Sequence, residues 1–189
     1  MERLVLFCVA ALMSLTSPAQ SGIDGKWFLT ENEKQTIGDK GEAGVADIKT
    51  TLAYTFAGDR YECTIKSVTD MSMAIESGQD NQSDVVIHLV LTASSAGSCI
   101  LEGDLLTLTP DKKKKPEVEV DATITGIAGG GMLKNMLAAP LKKALVAELK
   151  QTRHYRVLSV GGNSLILQKI VPGKDNPEGA KVETITLTK

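Results

Sequence analysis

In the stretch Glu117 to Thr125, "EVEVDATIT", polar and apolar residues alternate without a break. In an extended chain successive side chains point to opposite faces, so Val118, Val120, Ala122 and Ile124 make one dry face. Glu117, Glu119, Asp121 and Thr123 make a wet one. A strand of this kind must cover its dry face, and the same pattern recurs along the chain. In "TLAYTFAGDRYECTIKSV", Leu52, Tyr54 and Phe56 alternate with threonine and alanine, "AGD" turns, and Tyr61, Cys63 and Ile65 alternate with Glu62, Thr64 and Lys66, which predicts a hairpin. Further strands are predicted at Lys26 to Thr30, Met71 to Ser77, Asp84 to Ala93, Ser98 to Glu102, Leu105 to Thr109, Arg153 to Val160, Ser164 to Ile170 and Lys181 to Thr188.

Nine or ten strands with short connections and almost no helix specify an all-β fold. An antiparallel meander closing into a barrel, or a sandwich, buries one face of each strand and shields the edges. The segment "ENEKQTIGDKGEAGVADIK", Glu31 to Lys49, lacks a clear period. It reads as a long loop, either a flap beside a barrel mouth or a surface loop.

The chain opens with Arg3, the apolar run "LVLFCVAALMSL" and small residues at Ser17 and Ala19, the pattern of a secretory signal peptide over residues 1–19. Lipidation at Cys8 is opposed by bulky Leu6 and Phe7 before it. Export to the periplasm or the medium is expected. The remainder, residues 20–189, suits one domain, roughly 100 to 200 residues being usual. Net charge is −2, so no nucleic-acid partner is expected. The "KKKK" run at Lys112 to Lys115 lies between two strands and reads as a solvated hairpin tip.

"GMLKNMLAAPLKKALVAELKQ", Gly131 to Gln151, is the one long helical stretch. Leu133, Leu137, Leu141, Leu145 and Leu149 recur every four residues, and Pro140 predicts a kink or two segments. The helix is expected to close a barrel end or pack outside it, with a movable lid and a membrane-surface helix as the alternatives. Without a Trp or Phe anchor, membrane contact is not expected.

Cys63 and Cys99 suit either a disulfide in an oxidising compartment or two buried thiols. No Cys-x-x-Cys, "GxSxG" or "SxxK" pattern occurs, "DNQSD" lacks the register of a calcium loop, and "GIAGGGMLKN" lacks the ending of a phosphate loop. His88 and His154 lie inside strand patterns and read as packed, hydrogen-bonded residues. Neither catalysis, metal nor cofactor is expected.

Gly25-Lys26-Trp27, in "IDGKWFLT", resembles the Gly-x-Trp signature that opens the first strand of lipocalins. The resemblance, in outline over the whole exported part, implies a barrel whose Trp packs at the closed end against a late basic side chain. Arg153 and Arg156 are the candidates for that partner. The second family motif is displaced, since Thr69-Asp70 comes too early, and the strands after the helix outnumber the usual one. The resemblance supports the barrel architecture; the function expected of such a barrel is a monomeric, non-enzymatic binder of a small apolar or amphipathic ligand, with Tyr54, Phe56, Tyr61, Ile65, Met71 and Met73 as the interior candidates. The alternative is a structural or protein-interaction domain of the cell envelope with a filled core. An interior cavity of about 300 Å³ or more separates the two.

Overall fold

The computed structural model describes residues 22–37, 44–77, 81–127, 129–170 and 183–189; the signal peptide expected at 1–19 lies outside them. The elements run β1 (Gly25–Ile37), β2 (Gly44–Ala57), β3 (Arg60–Ser77), β4 (Asn81–Glu102), β5 (Leu105–Pro110), β6 (Glu117–Thr125), α1 (Gly130–Leu149), β7 (Arg153–Val160), β8 (Ser164–Ile170) and β9 (Thr184–Thr188). Every pairing is antiparallel.

Strands β1 to β4 form a meander, β4 hands on to β5, and β7, β8 and β9 return to β1 through Phe28 and Thr188. Eight strands thus close a ring. The ninth, β6, lies on the same edge of β4 as β5: residues 97–102 of β4 pair with β5, and residues 86–94 pair with β6. β5 and β6 are therefore collinear, one long strand interrupted at 111–116. The lysine run sits in that interruption and is exposed; it is an excursion from a strand edge and not a hairpin tip. Gly97 marks the place, because a Cβ there would lie 2.0 Å from the Thr109 carbonyl oxygen. No side chain fits between the two backbones.

Two predicted boundaries fall inside strands. The segment read as a long loop contributes Glu31–Ile37 to β1 and Gly44–Lys49 to β2, paired in register. Its alternation is invisible because both faces of β1 are polar there. Likewise Tyr61–Val68 and Met71–Ser77 are one strand, and Asp84–Ala93 and Ser98–Glu102 are one strand of 22 residues.

The ring is filled with side chains. Trp27, Tyr54, Phe56, Tyr61, Cys63, Cys99, Leu106, Leu108, Tyr155, Leu165, Leu167 and Leu187 form one buried cluster, with Leu29, Leu52, Ile65, Val157 and Ile185 against it. Cross-strand partners share a face, so the register carries this inner face past the ring. There β1 to β4 and β6 continue as an open apron. Ile48, Met71, Met73, Ile87, Leu89, Leu91, Val120 and Ile124 lie on the inner face of the apron and are half-buried. Its outer face is wet, with the ion pair Lys34–Asp47 at 3.2 Å and a His88–Asp70 hydrogen bond at 2.6 Å.

Helix α1 packs against β6, where a continuation of β7 would otherwise lie. Leu149 is 2% exposed against Ala93 and Val118, and Leu145 and Val146 support it. The chain runs as one helix through Pro140, so of the two expected outcomes, a kink or two segments, the second does not occur. The leucine series does not form one buried stripe either: Leu137 and Leu141 are 40% and 38% exposed. A four-residue step overshoots a full turn by about 40°, so over four steps the series swings roughly 160° around the helix.

Candidate functional site

The inward alternation of β7 brings Arg153, Tyr155 and Val157 into the ring. Arg153 Nη1 donates to Tyr54 Oη at 3.1 Å and Nη2 to Tyr61 Oη at 3.4 Å. The guanidinium carbon stands 5.9 and 5.7 Å from the two ring centroids, within cation–π range. Tyr54 Oη is in turn 3.4 Å from Tyr155 Oη. Burial works against the charge of Arg153, while the phenols and the Cys63 thiol around it favour it, and its pKa is raised overall. Burial raises the Tyr54 hydroxyl and the Cys63 thiol as well, which keeps both neutral. Among the described residues no carboxylate pairs with Arg153. Among the described residues, Arg153 Nε and Ser95 Oγ are buried without an oxygen or nitrogen partner, and both side chains lie against the Cys63 thiol.

Of the six residues expected to line an interior, Tyr54, Phe56 and Tyr61 lie together in the ring, each at most 2% exposed. Tyr54 and Phe56 stack with centroids 5.5 Å apart. Ile65 stands at the boundary and touches both the ring core and the cluster under the helix. Met71 and Met73 are farther along β3, on the apron. The six therefore do not enclose one space. Concavities lie elsewhere, among them one of about 150 Å³ at the β5–β6 interruption, reached from Thr64, Ser94 and Ala96 as well as Cys63 and Ser95, one of about 200 Å³ beside it over Thr92 and Glu119, and one of about 340 Å³ on the outer face over Asp47, Lys49 and Val68.

Trp27 is fully buried and donates from Nε1 to the Ile23 carbonyl at 2.6 Å. Its basic partner is Lys189, whose Nζ is 4.7 Å from the ring centroid. Neither arginine takes that place: Arg153 is held by tyrosines, and Arg156 pairs with Asp104 at 3.3 Å. Arg153 was legible as a site residue from the Arg-His-Tyr-Arg-Val alternation, which puts it on the face of Tyr155. His154 is half-buried beside Thr107 Oγ1 at 3.1 Å. His88, expected to be packed, is exposed on the apron's outer face, where its Nδ1 lies 2.6 Å from Asp70 Oδ1.

Cys63 and Cys99 are both buried and are not bonded to each other. Ser95 is the partner of Cys63 across β3–β4, and Cys99 lies four residues farther along β4, about 13 Å at the usual rise per residue. That exceeds the roughly 7 Å limit between Cα atoms of a disulfide. Among the described residues no cluster of His, Cys, Asp or Glu suits a metal ion, and no helix is long and apolar enough to cross a membrane. No protein-family model matches the chain, and a search of curated proteins finds no significant relative.

Proposed function

We propose that the chain is an exported, non-enzymatic binding protein of lipocalin-like architecture, which carries a small apolar or amphipathic ligand at the open end of its barrel. The ligand lies on the apron and not within the ring, whose space is taken by side chains. The observation that carries this reading is the continuity of the dry inner face beyond the closed ring. Among the described residues no strand opposes Ile48, Met71, Ile87 and Leu89 across this face, while the opposite face of the same strands is charged. An apolar surface flanked by a helix, with polar groups set at one end, suits a small amphipath. Exposed Glu31, Glu33 and Gln35 bound it along β1.

Native mass spectrometry of the protein purified from cells without detergent tests this. An added mass that disappears on denaturation and extracts into organic solvent is the expected result. A bare monomer that stays bare after incubation with a lipid extract overturns it.

A second reading, an interaction domain with a filled core, is favoured by one observation. Met132, Met136, Leu137 and Leu141 are exposed on α1, Met132 by 73%. Under that reading, substituting Met132 and Met136 with glutamine abolishes co-purification of a partner and leaves small-molecule content unchanged.

A further inference from the structure

Leu145, Val146 and Leu149 hold one side of α1 against Ala93 and Val118. At about 100° per residue, the opposite side carries Met132, Met136, Pro140, Ala144 and Ala147, and all five are exposed. Lys143 is the one charged residue among them within the helix. A helix that is apolar on both sides belongs where both are covered. The apolar exposure continues past the helix, at the open end of the barrel. Gly126 brings the turn after β6 against β4, since a Cβ there would lie 2.0 Å from the Asp84 carbonyl oxygen, and α1 starts against Ile124. Val86, which pairs with Thr125, and Ile127 are exposed at this tip, beside the first turns of α1.

The charge around this side selects its occupant. From Gly130 to Lys150 four lysines stand against one glutamate. Lys134 is tied to Asp121 at 2.6 Å; Lys142, Lys143 and Lys150 are exposed and, by the same projection, follow one border of the apolar side. A second copy of the chain would set these lysines against their own kind, because a two-fold contact joins one patch to itself. Protein interfaces favour aromatic residues and arginine and are depleted in lysine, and α1 has no aromatic residue and no arginine. Lysines beside leucine and methionine suit a lipid surface, where the alkyl stems lie over apolar area and the ammonium groups reach the head groups.

We propose that α1 docks the protein on an anionic lipid surface, with Met132 and Met136 at the acyl boundary and Lys142, Lys143 and Lys150 on the head groups. The absence of a Trp or Phe anchor made such contact unexpected from the sequence; the apolar area of the exposed helix side and the barrel tip takes that role. Docking in this pose sets the open end of the apron at the bilayer, where an apolar ligand is taken up or delivered. That last step rests on the proposed function above, whereas the docking does not.

The test sediments the protein, purified from cells without detergent, with vesicles of phosphatidylcholine alone and with vesicles holding an equal part of phosphatidylglycerol. Binding to the anionic vesicles is expected to be tighter on the order of tenfold or more and to weaken as salt rises. Met132→Gln with Met136→Gln, and separately Lys142→Gln with Lys143→Gln, should each reduce it several-fold. All four side chains lie on the surface of the helix, and a thermal melt of each variant checks its fold. Equal binding to both vesicle types, or binding unchanged in the methionine variant, overturns the docking. A dimer in analytical ultracentrifugation that the methionine substitutions break, without vesicle binding, overturns it and gives the face to a second copy. A co-purifying protein lost in that variant, again without vesicle binding, overturns it in favour of a protein partner. Native mass spectrometry of the same sample separates the two proposals. A ligand mass without vesicle binding overturns the docking alone, and vesicle binding by a protein that stays bare overturns the ligand alone.

Discussion

At the scale of single residues, the ring is organised by where polar atoms are permitted indoors. Trp27 is tolerated at full burial because its one donor meets the Ile23 carbonyl and a lysine at the C-terminus covers its face. Trp27→Ala removes that packing and leaves the carbonyl unpaired. It should lower unfolding free energy by about 3 to 5 kcal/mol, read from the midpoint of a urea titration. Cys63 and Cys99 are kept as thiols by burial, which raises both pKa values. Only a thiolate reacts readily, so at neutral pH both should resist iodoacetamide until denaturant is added, as peptide mapping will show. Rapid native labelling, or a Cys63–Cys99 linkage, contradicts the geometry. Gly-x-Trp in the sequence located Trp27 but not its partner. Lys189, the last residue, carries no pattern of its own, and only closure of β9 onto β1 brings it to the ring.

Among the elements, the helix separates what burial specifies from what periodicity specifies. Leu149 is its anchor, and Met136 on the far side is 65% exposed. Leu149→Ala should cost about 2 to 5 kcal/mol, whereas Met136→Ala should change stability by about 0.5 kcal/mol or less; thermal melts of the two variants measure the difference. The β5–β6 interruption has a pH signature. Asp111 is held below the usual carboxylate range, chiefly because it accepts the Lys113 N–H at 2.9 Å, with Arg60 also near at 3.7 Å. A depressed pKa means that this contribution is complete above the unfolded value, about 4, and is lost as acid protonates the folded form. The fall in melting temperature between about pH 5 and pH 2 should be shallower in Asp111→Asn than in the unmodified protein. Strands with one dry face were legible: β6, β7 and β8 match their predicted limits. The hairpin arms at Glu31–Ile37 and Gly44–Lys49 were not, because the polar inner residues Glu31, Glu33 and Gln35 erase the alternation. In β4, "SSAGS" imitates a turn. Its small residues serve the opposite end, letting β5 approach β4 at Gly97.

For the whole molecule, strand number and short connections specified an all-β meander but left barrel and sandwich both open; the Gly-x-Trp resemblance pointed to the barrel that forms, and the extent of the ring was not legible. Nothing in a chain states where a strand stops being roofed over. The candidate interior residues scattered for that reason: Tyr54, Phe56 and Tyr61 lie at the level of the ring, Met71 and Met73 above it. β4 crosses that boundary without a break, from Cys99 within the ring to Val86 on the apron. Its amides therefore sample two regimes of opening within one ladder, since local stability follows the density of buried contacts. Hydrogen exchange should slow steadily from Val86 toward Cys99, and uniform protection along β4 would contradict this. Such a strand behaves like a zipper pinned at one end. Parting of the apron with the ring shut would give the ligand proposed above a way in and out that does not require unfolding of the protein.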